Sequence, residues 1–157
     1  MSRFSKSSGR KAARFFHKPA FTKYWFIPVW LMLGFSRLLI VMISFRRLAP
    51  YLGRAVGLSA YSHLLTGDQE AQALRIAQVI RLTAHYCPWV ANCFPQAITA
   101  RLLLGLYHIP YSLYFGLCRD PETSEFKAHA WVTAGRIPVS GGQSFHLYTV
   151  VGCYIKS

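Results

Sequence analysis

The sequence predicts an α+β fold, with helices packed on a small antiparallel sheet and a hydrophobic helix in front. Three observations predict it. Before Gly105 the apolar residues recur at helical spacing, whereas from Tyr111 they alternate with a period of two, the repeat of a half-buried strand. The strand-like runs are joined by short Gly- and Pro-bearing turns, which suit antiparallel neighbours. At 157 residues the chain is one domain's worth and can enclose a single core. An apolar share of 53% with 15% aromatics excludes a disordered chain, and suggests a well-filled core or surfaces meant for a partner or a bilayer.

Residues 1–23 carry Arg3, Lys6, Arg10, Lys11, Arg14, Lys18 and Lys23 among Ser, Gly and Ala, a mobile or weakly helical basic arm. It is either a solvated tail or a segment that meets anionic lipid or an acidic partner. Residues 24–65 form a second region. Tyr24 to Phe45 is apolar and long enough to raise the question of a membrane span, but Arg37 interrupts it. An arginine at a helix centre in lipid costs about 2.5–3.5 kcal/mol, so the stretch is read as a helix packed on the core or lying in the membrane interface. It is too long for the h-region of a signal peptide, and no small-residue cleavage site follows. Leu48 to Leu65, with Pro50, Gly53 and Gly57, reads as two short helical pieces or a linker.

The third region, residues 66–157, is the domain proper. Thr66-Gly67-Asp68 supplies cap chemistry for a helix from about Gln69 to Tyr86, with Ala73, Ile76, Ala77, Ile80 and Ala84 as its core stripe and Arg75, Gln78 and Arg81 facing water. Pro88 ends it, and Trp89 at the corner either packs there or roofs a cleft. A second helix runs from Asn92 as N-cap, through Pro95 in its first turn, to Gly105 as terminator. Strands follow at Tyr111 to Cys118, Phe126 to Thr133, Ile137 to Val139 as an edge piece, and Phe145 to Ile155, which would carry His146 as a structural residue. Asp120, Glu122 and Glu125 fall in the loop before the second strand.

The net charge of +13 resembles a nucleic-acid signature until it is divided by position. Residues 1–54 hold 11 of the 18 Lys and Arg and no acid, while residues 55–157 hold 7 basic and 5 acidic residues, a balance of +2. The basicity belongs to the N-terminal segment, and no nucleic-acid partner is expected. No Gly-rich phosphate loop or dinucleotide fingerprint occurs, so neither a cofactor nor ATP use is expected. Four cysteines at 87, 93, 118 and 153 lack the tight spacing of a zinc site or a disulfide framework. Reduced thiols in a cytoplasm, with membrane association through residues 24–45 as an addition, fit this pattern.

Two residues carry candidate chemistry. Cys93 opens a helix, where unpaired N–H groups and the macrodipole favour thiolate over thiol. His129 alternates with apolar neighbours in Phe126-Lys127-Ala128-His129-Ala130-Trp131-Val132. Cysteine on a helix and histidine on a later strand is one way to build a nucleophile with its base. Each alone also reads as an ordinary core residue.

Pro88-Trp89, then Cys93-Phe94-Pro95-Gln96-Ala97, Gly105, Gly116 and Ala128-His129-Ala130-Trp131-Val132 together resemble the stand-alone leader-peptidase subunit of lasso-peptide biosynthesis, in the transglutaminase-like cysteine protease superfamily. The resemblance covers residues 70 to 154. It implies a papain-like core and a Cys-His-Asp triad with Cys93 and His129 in the first two places. It also implies a leader-plus-core precursor peptide as substrate, a separate leader-recognition protein and a lasso cyclase as partners. The family's Asp is missing, since no acid follows Glu125. Gln143, Ser140, a backbone carbonyl, an acid between 120 and 125, or nothing at all must orient the histidine. Two other readings stand beside the protease: an impaired scaffold of the same maturation complex, and a membrane-associated basic protein.

Overall fold

The computed structural model describes residues 18–58, 61–120, 124–142 and 144–156. The chain forms α1 (Ala20–Met42), a helical turn at Phe45–Leu48 that tightens over Ala49–Tyr51, β1 (Arg54–Gly57), α2 (Gly67–Tyr86), α3 (Cys93–Leu106), β2 (Tyr111–Arg119), β3 (Phe126–Ala134), β4 (Ile137–Ser140) and β5 (Thr149–Lys156). The five strands make one sheet in the order β1-β5-β2-β3-β4, and every neighbouring pair is antiparallel. The predicted α+β class, helices on a small antiparallel sheet with an apolar helix in front, is the architecture observed.

Alternation along the strands divides the core in two. One face of the sheet presents Leu113, Ala130, Val132 and Ala134 to the helices, where they join Ile76 and Ile80 of α2 and Leu103 and Leu104 of α3 in one cluster, to which Val29 and Leu33 of α1 belong through the packing of α1 on α2 and α3. The other face gathers Tyr114, Trp131, Cys153 and Ile155 with Tyr148 and Val150. α2 starts on a capping box: the Thr66 hydroxyl accepts from the Gln69 N–H, and the Gln69 side chain accepts from the Thr66 N–H.

α1 runs antiparallel to α3. Near its start Trp25 Nε1–H donates to the Tyr107 hydroxyl at 2.8 Å, at its middle Ser36 Oγ lies 3.4 Å from Thr99 Oγ1, and beyond its end the Phe45 ring sits 6.1 Å from that of Phe94. Trp89 turns toward this helix, its ring 4.3 Å from that of Trp30, so it packs at the corner and does not line the cleft described below.

Three elements depart from the sequence reading. The stretch after Leu48 is not simply helical pieces, because Arg54–Gly57 is a strand held by its ladder to β5. The last strand starts at Thr149, not Phe145. The β2–β5 ladder ends at Leu117↔Thr149, and without a partner Phe145–Leu147 coils into a 3₁₀ turn that takes His146 out of the sheet. α3 passes through Gly105 to Leu106, and the left-handed residue after it is His108, at φ 52°.

Candidate active site

Cys93 is the first residue of α3. Asn92 occupies the cap position with extended backbone, yet its side chain makes no capping hydrogen bond. The first i→i−4 bond is from Gln96 N–H to the Asn92 carbonyl, and Pro95 has no N–H to offer. The N–H groups of Cys93 and Phe94 therefore lack intrahelical acceptors, and this end of the helix keeps its donors for another group. The Gln96 side chain folds back, Nε2–H donating to the Ala91 carbonyl at 2.7 Å, and ties the helix to the corner before it.

His129 lies on β3 directly across the ladder from Gly116. It shares a face with Lys127 and Trp131, opposite the face on which Ala130 and Val132 meet the helices. Its ring is stacked on Tyr148 at 4.8 Å and 29°, and lies 5.8 Å from Trp131 at 24°. His129 Nε2 is 2.8 Å from the Gly141 carbonyl oxygen. A carbonyl only accepts, so this nitrogen carries the proton, and the neutral ring's lone pair is left on Nδ1. Gly141 has φ 67°, and a Cβ there would come 2.5 Å from the Ala130 carbonyl oxygen. Only glycine brings that carbonyl so close to β3 without strain.

Cys93 and His129 line one cleft of about 320 Å³, together with Arg81, Gln96, Ser140 and Gly141. The cleft is lined by the end of β4 and the turn after it, and β4 pairs with β3 only from Val132 to Ala134, short of His129. The thiol reaches it from the helical layer and the imidazole from the sheet. Arg81, exposed as expected, stands at this opening.

The open choices for a residue to orient His129 narrow here. The Gly141 carbonyl makes the hydrogen bond. Ser140 lines the cleft and its Oγ is buried with no hydrogen-bond partner among the described residues, and Asp120 is ion-paired to Lys127. Gln143 lies outside the described residues.

Tyr148 has no sequence signal, since an aromatic residue after a turn is ordinary. Its phenol is pushed above its usual range, first by burial, then by a hydrogen bond to Cys118 and the charges of Cys118 and Cys93, with Lys127 opposing. The ring that supports His129 thus also feels the Cys93 sulfur. The four cysteines are free thiols, and among the described residues no cluster of three or more His, Cys, Asp or Glu is placed to hold a metal ion.

A family model described as the transglutaminase-like superfamily matches residues 39–152, from the last turns of α1 into β5, and so includes both cleft residues. No curated protein and no solved structure matches the chain.

Proposed function

Because the chain belongs to the transglutaminase-like superfamily, which includes cysteine proteases, we propose that it is a cysteine peptidase that removes the leader from a ribosomally made lasso-peptide precursor. The observation that carries the chemistry is the cleft shared by Cys93, at a helix end with free N–H donors, and His129, whose Nδ1 lone pair is left available by the bond to Gly141. Cys93 Sγ attacks the scissile carbonyl carbon as His129 Nδ1 takes the thiol proton. The oxyanion gathers the N–H groups of Cys93 and Phe94. Nδ1–H then protonates the leaving amine, a thioester remains, and water attacks it to release the acid and regenerate the thiol.

The choice of substrate rests on the resemblance carried by Pro88-Trp89 and Cys93-Phe94-Pro95-Gln96-Ala97. In that reading a separate small protein holds the leader, and the trimmed core passes to an ATP-using cyclase. Precursor, leader-binding partner and the purified chain are incubated and followed by mass spectrometry. The wild type cuts between leader and core and Cys93→Ala does not; cutting by Cys93→Ala at the wild-type rate removes the mechanism. Cys93-dependent cleavage of unrelated peptides with the precursor left whole would keep the peptidase and remove the substrate.

One observation favours a scaffold as the second reading. A carbonyl holds His129 where a carboxylate would stabilise the imidazolium more. A wild-type chain that binds the precursor complex without cutting it supports that alternative.

A further inference from the structure

α1 is apolar on two opposite faces, and the protein covers only one of them. Val29 and Leu33 are fully buried against α2 and α3. On the other side Tyr24, Ile27, Leu31, Phe35, Leu38 and Met42 recur every three or four residues and are all more than half exposed. At a rise of 1.5 Å per residue this stripe is about 27 Å long. Contiguous exposed apolar surface of this kind marks an interaction site.

Charge says what meets it. The first 67 residues contain eleven Lys and Arg and no acid. Lys18 and Lys23 stand exposed at the start of α1, and Arg46, Arg47 and Arg54 stand exposed just beyond its end. The complementary surface is apolar in its middle and anionic at its margins, which describes the interface of a bilayer carrying anionic headgroups.

The packing says how α1 lies. Its inner face is bonded to Thr99 of α3 through Ser36 and to Tyr107, just past the end of α3, through Trp25. Standing across a bilayer, α1 would draw α2 with it, and with α2 the charges of Glu70, Arg75 and Arg81. Lying flat, α1 buries its stripe among the acyl chains and leaves the domain in water. We propose that α1 is an in-plane anchor that docks the protein on an anionic membrane surface, independently of the peptidase reading.

The test is flotation of the full chain with vesicles of phosphatidylglycerol in phosphatidylcholine and with phosphatidylcholine alone. The chain floats with the anionic vesicles, is released by a carbonate wash, and binds the neutral ones more weakly. Leu31→Glu/Phe35→Glu lowers partitioning about tenfold or more with unchanged circular dichroism, since two charges enter the stripe. Arg46→Glu/Arg47→Glu, outside the stripe, lowers binding to anionic vesicles alone and serves if the first variant misfolds. Flotation indifferent to both variants overturns the proposal. So does retention after the carbonate wash, which means a span. A dimer that the stripe variant dissolves, without vesicle binding, overturns it in favour of a second copy of the chain.

Discussion

Gly116 lies directly opposite His129 in the β2–β3 ladder, and the place a Cβ would take at Gly116 is bounded by Trp131 Cζ3 and Tyr148 Cβ, each 2.8 Å away. The Trp131 ring and the Tyr148 Cβ close over the glycine, and both residues' rings contact the imidazole. Gly116→Ala therefore pushes at a backbone-anchored atom and displaces the support of His129. Overpacking of this kind costs about 1–3 kcal/mol in stability. Cleavage falls together with the melting temperature; a variant as stable and as active as the wild type would show that the rings do not position His129.

The Gly141 carbonyl, and not Asp120, is expected to orient the imidazole. Asp120 is engaged with Lys127, so Asp120→Asn leaves the cleavage rate within about tenfold of wild type. Loss of a true triad carboxylate costs on the order of 10⁴ in kcat, and a fall of that size would give the role to Asp120. Gly141→Ala, strained at φ 67° and crowding the Ala130 carbonyl, slows cleavage by shifting the acceptor.

Leu31 and Leu33 are two residues apart on α1 and face opposite ways. Leu33 is fully buried in the core and Leu31 is 58% exposed. In lipid-free buffer Leu33→Ala lowers unfolding free energy by about 2–5 kcal/mol, while Leu31→Ala changes it by about 0.5 kcal/mol or less. Denaturant melts of the pair check this. Equal small effects would mean that α1 is not part of the cooperative fold.

The protein loses stability in alkali. Burial pushes the thiols of Cys87 and Cys153 above their ordinary 9.0, the second against a hydrogen bond from Tyr114, and pushes the phenol of Tyr111 above 10.0 against the nearby Arg101. Tyr148 moves the same way. The folded chain holds these protons more tightly than the unfolded one, so the unfolded state releases them first. Stability from this source is whole below pH 9.0 and falls as pH rises through the raised values. Melting temperatures measured with reductant across that range decline, and a melting temperature that held or rose above pH 9.0 would contradict the assignment.

Helices and long strands were legible because local rules suffice for them. Thr66 and Gln69 mark the start of α2, and the alternation from Tyr111 marks β2. β1 was not legible: Arg54–Gly57 has no strand pattern of its own and exists through its ladder with the far end of the chain. Within the site, Cys93 and His129 stand out as residue types in context. The acceptor for His129 does not, because a main-chain carbonyl leaves no mark in a sequence beyond the glycine that brings it near. Asn92 shows the reverse case, a side chain suited to capping that makes no cap bond.

Both outer strands of the sheet, β1 and β4, have four residues, while the three between them have eight or nine. The rims therefore expose few unpaired backbone groups to template a stray chain, and Pro138 removes one donor from that of β4. A protein that already carries so much uncovered apolar surface on one helix thus resists aggregation at the margins of its sheet.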